Sequence, residues 1–487
     1  MAIVYSRALE YTNILRPLTY FLLASTFGEN DIYALPGTLY AISDGMTYGW
    51  TAPYIPYLIS DESHIQTTKH EAEWLETALL LGSFSGLPLT IYLVDRIGRK
   101  KSLLLASFVV LLAWIAIALG NRIEYIFAAR YFCGMCGNMA FVAAPMYVAE
   151  IADQKIRGFL SSIIYIMMLL GCLVVYCVGP FLPFYVSPII GGTVAALELL
   201  TFSFMPESPH YLVSKNRIEQ AKKSIEYFKK NCDVEKELKD ISETLERQST
   251  EKGRIIDLIL VSSNRKGLLI MTVLNGGQHL CAYTVILMNL HLILESAGSI
   301  YLESSLAAIL FAAIMLGAAC VASFTIDKYG RKALLIFSSV LTGCCLLSIA
   351  IYFHLKLIGY DILNISWIPV VSIMVYAAAF KIGIGLVPIV ITAEIFPPKL
   401  KAIGMTLADA MFIVGGDRGL TDIPIVVRFL WHSRAVLLLR SLRRFDNGIY
   451  SVFCTRDQGQ VFGGDPADAA RPETAWSEKY SSNSVNE

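Results

Sequence analysis

The sequence predicts an all-α membrane protein, and three observations support this fold class. First, 55% of the 487 residues are hydrophobic and only 16% are charged, whereas soluble proteins average about 25% charged residues. Second, apolar runs of membrane-spanning length follow one another along the chain. Third, one basic motif stands after two of these runs, at Asp95–Lys100 and Asp327–Lys332. Backbone groups in lipid must form hydrogen bonds within their own segment, so the runs are predicted to be helices.

Ten complete apolar runs are predicted to be membrane spans, because each approaches the roughly 20 residues that cross a bilayer. In order, spans 1 to 10 are 34–58, 75–94, 102–120, 124–148, 159–180, 184–205, 267–291, 301–326, 333–356 and 367–392. An eleventh run begins near residue 402 and stops near residue 416.

The runs divide the chain into five parts. Residues 1–33 are a predicted cytoplasmic N-terminus, and 34–205 are a six-helix half. Residues 206–264 are a polar cytoplasmic linker, in which spaced Glu and Lys residues predict short solvated helices; an unstructured linker is the alternative. Residues 265–416 hold spans 7 to 10 and the start of span 11, and 417–487 are an aberrant tail predicted to be disordered.

Basic residues determine the predicted orientation. They cluster in the loops after spans 2, 4, 6, 8 and 10, all on one side of the membrane. Loops rich in Lys and Arg remain in the cytoplasm, so the N-terminus is predicted to be cytoplasmic too. Asn364 begins a glycosylation sequon between spans 9 and 10, which the same rule places outside. We expect a multi-pass protein of the plasma membrane.

Composition and motifs exclude several other classes. Lys plus Arg and Asp plus Glu each number 40, so no excess positive charge indicates a nucleic-acid partner. Most of the ten cysteines lie in apolar runs, where they are predicted to be buried apolar side chains. The sequence has no phosphate-binding loop, nucleophile elbow or metal-ligand cluster. We therefore expect no cofactor, no metal and no enzymatic activity.

Two repeated patterns indicate a duplicated half. Asp-x-x-Gly-Arg-Lys follows span 2 and span 8, and the Pro145 to Glu150 segment of span 4 is matched by Pro388 and Glu394 near span 10. Many carriers consist of two related halves that bind substrate between them near the midplane. The predicted architecture is two pseudo-symmetric six-helix halves, the second incomplete, with ten full spans and part of an eleventh.

Six motifs at defined places among the spans resemble those of the sugar porters of the major facilitator superfamily. They are Asp95–Lys100, Asp327–Lys332, Arg130 in span 4, Pro145–Glu150, Pro206–Pro209 after span 6, and Glu394–Pro397 after span 10. The resemblance covers roughly residues 34–416, and Gly45–Pro53 is most similar to the glucose- and trehalose-facilitator branch. It implies that the chain moves a small sugar across the bilayer by alternating access.

The resemblance also implies a charged latch at the cytoplasmic helix ends, which is bonded when that side is closed. The expected partners are Asp95 and Arg99 with Glu150 and Arg157 in the first half, and Asp327 and Arg331 with Glu394 and Lys401 in the second. Lys401 stands where the family has Arg, and it lacks the planar fork that binds a carboxylate twice. The alternative is that these charges serve only topology and helix-end solvation.

In this family, side chains on spans 5, 7 and 10 bind the sugar. Gln278 matches the first of two family glutamines, whereas other positions differ: His279 replaces the second glutamine, Thr284 an asparagine, Tyr165 a glutamine and Ile389 a tryptophan, and Lys381 stands near a common glutamate position. The resemblance implies Gln278, His279, Thr284 and Tyr165 as sugar-binding residues. The alternative is that Gln278 and His279 only pack helices together.

Two charged residues inside spans are predicted to be functional, because charge in the bilayer is costly. Arg130 is expected to face the bundle interior and bond a carboxylate or carbonyl, or else to extend toward the nearer membrane surface. Asp44 suggests proton coupling, but proton-coupled relatives carry Asp one position earlier, where this chain has Ser43. We therefore expect facilitated diffusion of hexose or trehalose. A sugar sensor without flux and an inactive truncated carrier are the alternatives.

The pattern of spans stops near residue 416. Residues 428–444 contain five arginines, a heavy charge for a span, where the family has helices 11 and 12. Codons for Thr455–Gly464, read one base later, can encode the family motif Pro-Glu-Thr-Lys-Gly. Those for 428–437, shifted likewise, can encode a sequence that suits the start of helix 12. We infer a frame error after residue 416; a genuine basic extension is the alternative.

Sequencing the transcript across codons 405–470 tests the frame error. We expect an inserted or deleted base, or a misplaced splice junction, whose correction restores helices 11 and 12. Codons that cannot encode the shifted motifs would show instead that the tail belongs to the natural protein.

Overall fold

The computed structural model describes residues 35–65, 67–151, 157–229, 233–250, 262–298, 302–360, 365–388 and 391, which are almost entirely helical. The helices, in chain order, are α1 Leu35–Gly49, α2 Thr51–Ile59, α3 Lys69–Arg96, α4 Arg99–Leu119, α5 Ile123–Phe141, α6 Ala143–Ile151, α7 Arg157–Val178, α8 Val186–Phe202, α9 Pro209–Ser214, α10 Ile218–Phe228, α11 Val234–Thr250, α12 Ser262–Leu280, α13 Tyr283–Met288, α14 Leu290–Ala297, α15 Ser304–Tyr329, α16 Arg331–Leu357 and α17 Trp367–Ile382.

Several helices have the length and composition of membrane spans. Within the described residues there are five, counting α5 and α6 as one, and six if the bent pair Asn264–Met288 and Leu290–Ala297 is a single span. Three further apolar helices, in α7, α8 and α17, are shorter. The all-helical multi-pass prediction is therefore confirmed, whereas the number of ten spans remains a prediction.

Glycines allow the backbones of two pairs of helices to approach closely. A Cβ atom on Gly134 of α5 would lie 1.9 Å from the Leu79 carbonyl oxygen of α3, and one on Gly45 of α1 would lie 1.9 Å from that of Met168 in α7. Real Cβ atoms never approach backbone oxygen so closely, so only glycine fits there. Membrane helices associate through such small residues, because lipid supplies no hydrophobic drive between them.

Span 7 is helical but broken. α12 ends at Leu280, and Ala282 adopts a left-handed conformation with φ of 57° before α13 begins. A second break at Asn289 turns the chain by 82° into α14. A left-handed residue other than glycine costs roughly 1–2 kcal/mol. Breaks of this kind in carriers leave backbone groups available near the substrate.

The polar linker forms helices in its described part, as its Glu and Lys spacing predicts. These helices are α9, α10 and α11. Lys222 of α10 forms an ion pair with Glu235 of α11 at 2.6 Å. Lys229, just after α10, forms an ion pair with Glu237 of α11, also at 2.6 Å. The pairs connect neighbouring helices and orient the linker as a folded unit.

Replacing Gly134 by Ala tests the close contact of α3 and α5. We expect a loss of roughly 1–3 kcal/mol of stability, because the added methyl overpacks the interface. The measurement is the thermal unfolding midpoint of the detergent-solubilised protein.

The matched control is Gly317→Ala in α15, where a Cβ atom meets nothing within 4 Å. Ala favours helix over Gly at both positions, so the control keeps or raises the midpoint. Equal midpoints for the two variants would contradict the close contact.

Candidate functional site

A buried lysine forms the centre of the site. Lys381, at the end of α17, is 0% exposed. Its Nζ donates hydrogen bonds to the Tyr165 hydroxyl of α7, at 2.7 Å, and to the Tyr283 hydroxyl of α13, at 2.9 Å. One ammonium thereby joins α7 of the first predicted half to α13 and α17 of the second.

Aromatic rings surround the ammonium. Nζ lies 4.2 Å from the ring centroid of Tyr283, 4.5 Å from that of Tyr165 and 5.6 Å from that of Phe380. Tyr283 and Phe380 stack with centroids 4.6 Å apart. The negative faces of such rings attract a cation, so they replace part of the hydration that Lys381 loses on burial.

Polar contacts around the breaks of span 7 lie beside this cluster. The Gln278 amide donates to the Ile384 carbonyl at 2.7 Å, which joins α12 to the turn after α17. Tyr376 donates to the Cys281 carbonyl at 2.8 Å and so satisfies one backbone group that the break exposes. The Thr284 hydroxyl is buried and has no hydrogen-bond partner among the described residues.

Three of the four residues implied for sugar binding lie on helices that meet here. They are Tyr165 in α7, Gln278 in α12 and Thr284 in α13. His279 lies in α12, but its side chain is outside the described residues, as is the whole of Ile389. Their roles in binding remain predictions.

Arg130 and Asp44 both face the bundle interior. Arg130 is 0% exposed, donates to the Thr47 carbonyl and lies over Trp50, with 5.5 Å from Cζ to the ring centroid. Asp44 is 4% exposed. Its Oδ1 lies 2.7 Å from the place that a Cβ of Gly137 would occupy, so it packs against α5.

Ser43, at the position where proton-coupled relatives have Asp, accepts a hydrogen bond from Trp114 Nε1 at 2.9 Å. Trp114 is buried and lies in α4. The position is therefore occupied by a neutral, hydrogen-bonded hydroxyl.

Sequence reasoning missed several buried polar groups. The Lys381 contacts are the main omission. Glu198 is 0% exposed and accepts from Ser107 at 2.7 Å, while Glu76 is 3% exposed. The rule that singled out Arg130 applies to Glu198 as well, because it is a charge inside an apolar run.

Among the described residues, no group of three His, Cys, Asp or Glu could hold a metal ion.

At the end of the bundle that the charge rule assigns to the cytoplasm, a carboxylate joins three segments. Arg99 donates to Glu150 Oε1 from Nε at 3.2 Å and from Nη2 at 2.9 Å. Both side chains are mostly buried, with 13% and 15% exposed. The second oxygen of Glu150 accepts from the Ser208 hydroxyl. Glu150 thus links the ends of α4, α6 and α9.

The Pro206–Pro209 motif completes this network. Glu207 Oε1 accepts from the backbone N–H of Lys100 and of Ser208, both at 3.0 Å. Gly98 has a φ of 100°, and a Cβ there would lie 2.4 Å from Glu207 Oε2. The conformation and the space both require glycine at this position, which explains the glycine in the Asp-x-x-Gly-Arg-Lys motif.

The remaining latch residues are placed differently. Asp95 is exposed and forms no ion pair with the described residues, so it lies outside the network that Arg99 and Glu150 form. Arg157 begins α7, and Arg331 begins α16. The side chains of Arg157 and Asp327, and the whole of Glu394, Lys401 and Asn364, lie outside the described residues. The second latch and the glycosylation site stay predictions.

The chain is similar to known sugar carriers in sequence. It is 30% identical to the facilitated trehalose transporter Tret1 of Polypedilum vanderplanki over 78% of this chain and 77% of that protein. It is 28% identical to the Bombyx mori transporter of the same name over 76% and 74% of the two chains.

The fold matches solved structures of the xylose transporter XylE. The proton:xylose symporter bound to 6-bromo-6-deoxy-D-glucose superposes with a TM-score of 0.68 at 20% identity, covering 86% of this chain and 96% of that one. The inward open conformation from E. coli gives 0.68 at 20% identity, covering 88% and 97%. The chain therefore has the major facilitator fold.

A family profile gives the same assignment over most of the chain. The profile described as "Sugar (and other) transporter" matches residues 32–416. That range contains both the Lys381 cluster and the network around Glu150. The chain belongs to this sugar transporter family of the major facilitator superfamily and is not an enzyme.

Proposed function

We propose that this transporter moves a hexose or trehalose by facilitated diffusion, through alternating access between two six-helix halves. The observation that carries the proposal is the polar cluster of Tyr165, Lys381 and Tyr283, which lies where α7 meets α13 and α17. Sugar hydroxyls need donors and acceptors of this kind, and aromatic rings cover the apolar faces of a pyranose. Similarity to transporters named for trehalose supports the substrate class.

Few described polar contacts cross between the halves. Lys381 donates to Tyr165, and the Tyr176 hydroxyl donates to the Leu287 carbonyl. At the end that the charge rule assigns to the outside, α2 packs against α14. Alternating access requires these contacts to separate while each half stays intact. A site on the seam between the halves is positioned to couple sugar binding to that separation.

Facilitated diffusion is supported by the surroundings of Ser43. Its hydroxyl is held by Trp114, and a serine hydroxyl does not ionise near neutral pH, whereas a carboxylate can bind and release a proton. Asp44 packs on a different side, against Gly137. A gradient of sugar is therefore the expected driving force.

Uptake into proteoliposomes tests the proposal, with the reading frame that the transcript establishes. We expect saturable uptake of labelled D-glucose or trehalose that a protonophore leaves unchanged. Uptake that collapses with the protonophore would contradict facilitated diffusion. Specific sugar binding without uptake would identify a sensor or an inactive carrier, and the absence of both would contradict the function. The uncorrected chain, whose sequence does not predict helices 11 and 12, is expected to transport little.

Glu150→Gln tests the latch. The change weakens two hydrogen bonds from Arg99, and bonds to charged groups contribute about 1.5–3 kcal/mol each. We expect sugar exchange to slow roughly tenfold or more, while sugar affinity stays within a few-fold. The measurement is the rate of counterflow with saturating sugar.

The matched control is Asp95→Asn, which removes an exposed carboxylate of the motif that contains Arg99. It should leave the exchange rate unchanged. A loss as large as that of Glu150→Gln would instead support the role that the resemblance implies for Asp95.

A further inference from the structure

The charge of Lys381 has no counter-ion among the residues that the structure describes. The ion pairs found there involve Arg99, Lys222, Lys229 and Lys239 instead. Within the described part of the chain, the ammonium contacts phenol hydroxyls and aromatic rings. Each of these is formally neutral, so the positive charge is not balanced by the described part of the protein.

One N–H donor of the ammonium has no acceptor among the described residues. Lys carries three donors, and two are taken by Tyr165 and Tyr283. A buried donor without an acceptor lowers stability, and a buried charge without a partner costs far more. Ring faces and phenol oxygens offset only part of this cost. The arrangement suits a ligand that brings both an acceptor and a negative charge.

We propose that the site takes a sugar acid, a hexose derivative with one carboxylate such as a hexuronate, whose carboxylate accepts from Lys381 Nζ. One ammonium balances one carboxylate, whereas a phosphate group carries about 1.5–2 negative charges. The buried Thr284 hydroxyl, which has no partner among the described residues, adjoins Tyr283 and is available to a sugar hydroxyl. Because the proposal rests on the function proposed above, its test compares acidic and neutral sugars.

The experiment measures binding of D-glucuronate and D-glucose to the full purified chain, in the reading frame that the transcript establishes, by isothermal titration. We expect glucuronate to bind about tenfold or more tightly than glucose, because a hydrogen bond to a charged group is stronger than one between neutral groups. Lys381→Gln should abolish this preference, measured as the ratio of the glucose and glucuronate dissociation constants, because the Gln amide still donates hydrogen bonds but carries no charge. Lys381→Arg, which keeps the charge, should retain it.

Tyr165→Phe is the matched control, since it removes one hydroxyl beside the ammonium but leaves the charge and the ring. It should preserve the preference for glucuronate. The thermal midpoint of each variant shows whether it is folded. If Lys381→Gln fails to fold, the ratio of the glucuronate and glucose affinities in the unaltered chain tests whether the site prefers a sugar acid.

The outcomes separate this proposal from the broader function. Glucose binding with glucuronate no tighter would overturn the sugar-acid site and leave the sugar-transport function intact. Binding of neither sugar would overturn both. A preference for glucuronate that survives in folded Lys381→Gln would show that another group reads the carboxylate, and it would overturn the role of Lys381.

Discussion

Lipid offers no hydrogen-bond partners, so every backbone polar group of a spanning helix has to be hydrogen-bonded inside the protein, and a buried polar side chain is costly unless it finds a partner there. This constraint accounts for most of the contacts that distinguish the interior. Arg130 donates to a backbone carbonyl and lies on an indole ring, and Glu198 accepts from a serine hydroxyl. Lys381 is held by two phenols. Each polar group fixes the rotation of its helix, because only one face of the helix brings it to its partner.

Close contact between helices allows short hydrogen bonds to form across their interface. Gly134 and Gly45 allow backbones to approach within distances that any Cβ would prevent, and the serine and asparagine bonds between α3 and α5 follow from that closeness. Ser83 donates to the Gly134 carbonyl at 3.1 Å, and Asn138 donates to the Ser83 carbonyl at 2.7 Å. The first half is thus built as a rigid body from small residues and short polar contacts. Movement is then expected at the seam, where the polar contacts described are few.

Charged hydrogen bonds stabilise one end of the first half, and aromatic packing stabilises the other. At the end that the charge rule assigns to the cytoplasm, Arg99, Glu150 and Ser208 form a charged network that one substitution can weaken. At the opposite end, Trp50, Tyr54 and Phe184 pack as an aromatic cluster, with ring centroids 4.9 to 5.9 Å apart. Charged contacts are directional and are lost over small displacements, whereas aromatic packing tolerates sliding. The charged end is therefore the better candidate for a latch.

The sequence by itself determined the helical class and the positions of the repeated motif, because hydrophobic length and charge are local properties that decide whether a segment enters lipid. It indicated the family through its six motifs, and it left Arg130 either in the bundle interior or extended toward the nearer membrane surface. It indicated the Arg99 and Glu150 segments through their motifs. Only the tertiary structure decided that Asp95 stays outside that network, that span 7 breaks at Ala282 and Asn289, and that Lys381 meets Tyr165. These depend on packing between segments far apart in the chain: Lys381 and Tyr165 are separated by 216 positions. No local pattern encodes such a contact, since it exists only once the helices have packed.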